Sequence, residues 1–182
     1  MICSLAQYRR ITHDLTSFDG DVTQALLDAQ SLVENRTLRH FESAERTETL
    51  HVYSDGAVYP SALPITSVSV PSGAVIKSGY VKLSSYAPFD VAVNNYFDNS
   101  YDYSTDVTYV GGYAEEDMPI EIVRCVAEIA KLSLDEVNSE IPVGATSVSV
   151  GDVSFSGKDL NTTAYLPSRI ASVLRAWRRS IV

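Results

Sequence analysis

Apolar residues along this chain change their spacing four times. Between Val22 and Phe41, the positions Val22, Ala25, Leu26, Ala29, Leu32, Val33 and Leu38 follow one face of a 3.6-residue period. Asp19-Gly20-Asp21 precedes them with a capping carboxylate and a turn, so this spacing predicts a helix over about 22–41. A shorter helix fits Ser4 to Thr12. Helical spacing returns at Pro119, which suits a first helical position because its missing N–H is not needed there. Ile120, Val123, Ala127, Ala130, Leu134 and Val137 then form one stripe, and Ile122, Val126 and Ile129 widen it. A stripe that broad predicts a central helix buried on more than one side. A last helix, about Pro167 to Ser180, carries Ile170, Val173, Leu174 and Trp177.

The region from Arg46 to Val110 has the two-residue spacing of strands instead. Thr49 to Tyr53 reads as a strand followed by a turn at Ser54-Asp55-Gly56, and Leu63 to Val70 as an alternating strand bounded by Pro71-Ser72-Gly73. Ala74–Lys77 and Tyr80–Leu83 flank Ser78-Gly79 as a hairpin, and Phe89–Val93 and Asp106–Val110 read as further short strands. Asn94 to Ser104 between them is a polar, tyrosine-rich loop. Asn138 to Asn161 contains Val148 to Ser156, which alternates like an extended arm with a Gly-Asp break. The expected fold is therefore α+β. A helical-bundle core of about three main helices, residues 1–45 and 111–182, holds an inserted antiparallel β sub-domain, residues 46–110, and an extended arm before the C-terminal helix. Tyr109-Val110-Gly111-Gly112-Tyr113 reads as the seam between insertion and core, its glycines serving a tight turn.

Length and composition fit this picture. The 182 residues suffice for one sizeable core, and 45% hydrophobic with 20% charged residues is ordinary for a soluble globule. No run approaches the roughly 18 apolar residues of a membrane span, and the N-terminus lacks a secretory pattern, so synthesis in a cytosol-like compartment is expected. The net charge of −9 is unevenly spread. Ten acids against Lys77 and Lys82 lie between Thr47 and Ile122, whereas only Arg169, Arg175, Arg178 and Arg179 carry charge after Asp159. An acidic middle repels nucleic acid. The arginines suit an acidic surface or a phosphate backbone, or simply complement a helix C-terminus.

Catalytic chemistry finds little to stand on. His13, His40 and His51 lack companions at metal-ligand spacing, and Cys3 and Cys125 give neither a disulfide framework nor a zinc pattern. No nucleophile elbow accompanies His13-Asp14, and no lysine follows Gly111-Gly112 as a phosphate loop requires. Asp98, Asp102 and Asp106 lack the glycine and closing glutamate of a calcium loop. Tyr96, Tyr101, Tyr103, Tyr109 and Tyr113 could stack on bases or sugars, but their charged neighbours are acids rather than the cations of a nucleic-acid platform. The expectation is a non-enzyme with no catalytic residue, cofactor or metal.

In combination the motifs resemble the head–tail connector (adaptor) proteins of long-tailed bacteriophages. The order is an amphipathic helix, a strand ending near Asp55-Gly56, and Leu63-Pro64-Ile65-Thr66-Ser67-Val68. Tyr109-Val110-Gly111-Gly112-Tyr113 with Met118-Pro119 follows, then Val150 to Ser156, and finally Leu166-Pro167 and a helix ending in Trp177-Arg178-Arg179. The resemblance implies a virion structural protein at the head–tail junction, made in the host cytoplasm. Its subunits would form a ring, usually twelve-fold, under the portal protein. That ring extends the DNA channel and links the head to a stopper or tail-completion protein, with viral DNA passing the lumen without specific binding and no membrane involved. By the same analogy Arg175, Trp177, Arg178 and Arg179 would contact the portal, and Val148, Val150, Val153 and Phe155 the neighbouring subunit. The alternative is a tail- or neck-associated binding module whose β insertion recognises carbohydrate or another structural protein.

Overall fold

In a computed structural model of the chain, the described residues are 1–53, 55–84, 104–137, 148–150, 153–155 and 166–179. They form an α+β fold with four helices and small antiparallel sheets. The chain divides into a helical unit, Met1–Leu38 with Met118–Val182, and a β unit, Arg39–Asp117.

In the helical unit, α1 (Leu5–Thr12) starts at a reciprocal cap. The Ser4 hydroxyl accepts from the Gln7 backbone N–H, and the Gln7 side chain accepts from the Ser4 N–H. Helix α2 (Asp19–Thr37) begins three residues earlier than its apolar stripe suggests. Phe18, not an aspartate, occupies its cap position and makes no side-chain cap bond, so Asp19 and Asp21 act through charge at the positive end of the helix. The helix stops at Thr37 because Leu38 turns left-handed (φ 55°) and its N–H closes on the Glu34 carbonyl. Phe41, expected at the helix end, is a buried member of the β unit.

Helix α3 (Ile120–Val137) packs against α1, α2 and α4 (Ser168–Trp177), the contacts expected of a central helix. Ile122, Val123, Cys125, Val126, Ala127, Ile129, Ala130 and Leu134 are all buried, on more than one side of the helix. Ile120, expected on the apolar stripe, is exposed in the first turn. α2 contributes Val22, Ala25, Leu26, Ala29 and Val33 to the same interior, and α4 contributes Ile170 and Leu174. Between α3 and α4, strand β7 (Val148–Val150) pairs antiparallel with β8 (Val153–Phe155), so the alternating segment holds two paired strands and not one extended arm.

The β unit holds two three-stranded sheets, β1-β6-β3 and β2-β5-β4. Their strands are β1 (Ala44–His51), β2 (Ala57–Val58), β3 (Ile65–Val70), β4 (Val75–Lys77), β5 (Tyr80–Lys82) and β6 (Ser104–Gly111). β1 is longer at its start than the expected 49–53 segment, and it runs antiparallel to β6 from Ala44↔Gly111 to His51↔Ser104. One face of the pair is polar, with Thr47 opposite Thr108 (2.9 Å between hydroxyls) and Thr49 donating to Asp106 (2.6 Å). The other face adds Leu50, Val107 and Tyr109 to a core with Val52, Val58, Ala62 and Val81. β3 breaks its expected alternation. Register shifts between Ile65 and Ser67 and between Val68 and Val70 turn Ile65 and Val68 toward this core and leave Val70 49% exposed. The expected strand at 89–93 and nearly all of the tyrosine-rich loop lie outside the described residues.

Candidate assembly surfaces

The β unit is pinned by a buried polar cluster that periodicity does not reveal. Tyr109 is fully buried on β6, and its hydroxyl donates to Glu48 Oε1 on β1 (2.5 Å) while accepting from the Ala62 N–H (3.1 Å). The Ser61 hydroxyl and N–H both donate to the Glu48 carboxylate (2.5 and 3.0 Å). Burial, reinforced by the Glu48 carboxylate, pushes the Tyr109 phenol up to about 12. Tyr109 therefore has no free face for stacking and is excluded from any tyrosine platform. Tyr113 is half-buried, with its N–H on the Phe41 carbonyl (2.7 Å), while Tyr96, Tyr101 and Tyr103 lie outside the described residues.

Gly111 and Gly112 lie within this unit and allow backbone to touch backbone. A Cβ on Gly111 would come within 2.5 Å of the Ala62 carbonyl oxygen. One on Gly112, which has φ +108°, would collide with the Glu42 backbone. The Gly112 N–H instead donates to the Pro64 carbonyl (2.9 Å). The acids Glu115–Asp117 that follow form a 3₁₀ turn, and the Pro119 carbonyl accepts from the Ile122 and Val123 N–H groups as α3 opens.

In the helical unit, the four residues implied for portal contact sit at the end of α4 and just beyond it. Arg175 and Arg178 are exposed, while Trp177 and Arg179 are half-buried. The Arg179 N–H donates to the Thr37 carbonyl (2.8 Å), which brings the tail to the C-terminal end of α2, where Arg36 also lies. Cations gather at the negative ends of two helix dipoles. Val148, Val150, Val153 and Phe155 are divided between the two strands of the β7–β8 pair.

The link between α1 and α2 is a built loop whose importance the sequence did not advertise. The Asp14 carboxylate accepts from the Tyr8 hydroxyl (2.8 Å), the Thr16 N–H and hydroxyl (3.1 and 3.2 Å), and the Ser17 N–H and hydroxyl (3.1 and 2.6 Å). These bonds, led by Ser17, hold the carboxyl well below the usual carboxylate range. The Arg9 guanidinium donates to the Asp14 and Ser17 carbonyls (2.7 and 2.5 Å) and to Asp19 Oδ1 (2.6 Å). The signal, visible only afterwards, is Asp followed by Thr and Ser at two and three residues, the pattern of an Asx turn.

The histidines do not converge. His13 is the left-handed cap of α1, His40 bridges to Ala62, and His51 packs edge-on against Tyr53 (centroids 4.8 Å apart). Tyr53, Tyr59 and Tyr80 continue that aromatic row at 5.2 and 5.7 Å. Cys3 and Cys125 are buried free thiols, each raised to about 11 by burial. Among the described residues, no group of three or more His, Cys, Asp or Glu side chains could hold a metal, and no helix is long and apolar enough to cross a membrane.

The fold has counterparts among solved structures. A chain in the neck of an empty gene transfer agent (GTA) particle, computed with C6 symmetry, superposes with a TM-score of 0.55. The match covers 97% of this chain and 89% of that one, at 14% identity. A chain in the virion of a native gene transfer agent particle gives 0.54 over the same shares, at 13% identity. At such low identity the likeness is one of fold. No family model matches the chain, and no curated protein is similar to it in sequence.

Proposed function

We propose that the chain is a structural protein of a virion neck, and more specifically a head–tail connector subunit. It assembles into a ring, dodecameric by the resemblance, beneath the portal protein. There it extends the DNA channel, joins the head to a stopper or tail-completion protein, and performs no catalysis. The observation that carries this reading is the fold shared over 97% of the chain with a protein of a particle neck. The resemblance in motif order points the same way from the sequence alone. A ring whose lumen passes DNA must not hold phosphates, and a net charge of −9 suits that need.

The cationic end of α4 is the surface we assign to the portal, through Arg175, Trp177, Arg178 and Arg179. The β7–β8 pair, with Val148, Val150, Val153 and Phe155, is the segment we assign to the neighbouring subunit, since two short paired strands offer unpaired edges for strand addition. The test mixes the purified protein with portal-bearing heads and images them. A ring at the tail-facing vertex is expected, and absence of association at every salt concentration rejects the reading. Deleting residues 175–182 should leave a folded subunit that no longer docks; normal decoration by the truncated chain rejects the portal assignment.

A further inference from the structure

The aromatic row of the β unit lies outside its interior. His51, Tyr53, Tyr59 and Tyr80 follow one another at centroid spacings of 4.8, 5.2 and 5.7 Å. Val58 and Val81 belong to the buried core, so backbone alternation turns their chain neighbours Tyr59 and Tyr80 to the opposite face. The three tyrosines are half-buried and His51 is exposed, so each ring is braced by the next and still meets solvent. Rings already held in place have little ordering entropy left to lose on binding.

Strand pairing adds charged groups to this face. β5 pairs with β4 as Lys77↔Tyr80 and Val75↔Lys82, so Lys77 stands across from Tyr80 and Lys82 two residues along the same face. Both lysines are exposed, and no acid occurs in the sequence from Gly56 to Phe89. Acids stand at the other end. Asp55, exposed in the turn after Tyr53, accepts from the Ala57 N–H through Oδ1 (3.0 Å). Asp106, opposite Thr49 two residues before His51, accepts from the Thr49 hydroxyl (2.6 Å). The row therefore runs from carboxylates, through aromatic rings, to a pair of cations.

This order of groups specifies a ligand class. The face of a tyrosine ring is electron-rich and apolar. The C–H bonds on one side of a sugar ring carry slight positive charge and lie against such a face, and the hydroxyls take donors and acceptors at the rim. Asp55 can accept from those hydroxyls, and Lys77 and Lys82 can pair with a carboxylate. Single-stranded nucleic acid also stacks on aromatic rings, but it needs cations along its whole backbone. Here the lysines stand at one end only, and the net charge of −9 repels polyphosphate. We propose that this face binds an acidic polysaccharide, its sugar rings on Tyr53, Tyr59 and Tyr80 and a uronate carboxylate at Lys77 and Lys82. The site belongs to the β unit alone and does not rest on the neck reading.

The test titrates the full-length protein with galacturonate and alginate oligosaccharides by calorimetry, with dextran and oligothymidylate alongside. Binding of at least one acidic oligosaccharide, weakened by added salt and tighter than that of dextran, is expected. Tyr80→Ala and Lys82→Gln should each lower that affinity about tenfold or more, with unchanged circular dichroism. Lys77→Gln should act in the same direction, and the two lysine positions are exposed, so they carry the test even if Tyr80→Ala disturbs the sheet. Failure of both acidic oligosaccharides to bind, affinity untouched by the lysine substitutions, or tighter binding of dextran or oligothymidylate overturns the proposal. Rings on portal-bearing heads are read separately: their absence rejects the neck reading and leaves this site standing.

Discussion

The helical unit and the β unit build their interiors by different means. Around α3 the core is mainly aliphatic, its one buried tyrosine, Tyr8, turning its hydroxyl to Asp14 in the α1–α2 link, and burial on several sides of one helix secures it. In the β unit the core is smaller, and a tyrosine, a glutamate and a serine take the place of apolar volume between β1 and the 61–62 segment. Apolar packing tolerates shifts in position, whereas a hydrogen-bonded pin demands one register. A broad stripe gives a robust bundle. A thin sheet with a polar pin gives a defined register while leaving its outer edge free for other contacts.

The largest expected effect tests the helical side. Val126→Asp places a charge where the side chain is fully buried and should cost roughly 4 kcal/mol or more, read as loss of the folded population in urea titration. A smaller loss would mean that α3 is less enclosed than described. On the β side, Tyr109→Phe strands the Ala62 N–H and one Glu48 contact, and should cost about 2 kcal/mol with faster amide exchange in β1 and β6. Since the fold raises the Tyr109 phenol from 10 to about 12, its contribution is complete below pH 10 and fades as pH rises through about 12. Tyr109→Phe should lack that alkaline loss, and an unchanged alkaline profile would remove the pin from the comparison. The smallest effect sharpens it. Asp14→Asn should cost about 1 kcal/mol, solvent screening holding the figure down. The folded Asp14 carboxyl lies below its ordinary 3.8, so its stabilisation is present above that pH and lost in acid. The wild type should therefore show an acid-side decline, followed by thermal melts from pH 6 to 2, that Asp14→Asn reduces.

The same contrast explains what could be read in advance. α3 and α4 were legible because aliphatic residues recur at helical spacing, and the β4–β5 hairpin because Ser78-Gly79 separates two short strands. The first half of β1 was not legible: its inward positions Arg46 and Glu48 are polar, and partners far along the chain satisfy Glu48. The alternation in β3 misled because bulges change which residues face inward, and bulges depend on pairing with β6. The arginines of the tail were visible as a charge run, but their approach to the end of α2 rests on a backbone bond to Thr37. The bonds that build the α1–α2 link were missed because Arg9, Asp14, Ser17 and Asp19 in a short polar stretch have no periodicity, and only the fold brings the guanidinium over the loop.

The sequence by itself determined the α+β class, the order of the four helices around a β-rich middle, the acidic middle and the basic tail, since these follow from local spacing and composition; the short strand β2 and the pairing of β7 with β8 it did not announce. Tertiary structure alone decided the polar pin at Tyr109, the inward face of β3, and the exposure of Leu15, Phe18, Val75 and Ile76. The physical reason is that burial and hydrogen-bond pairing are set by residues distant in the chain, which no local pattern encodes.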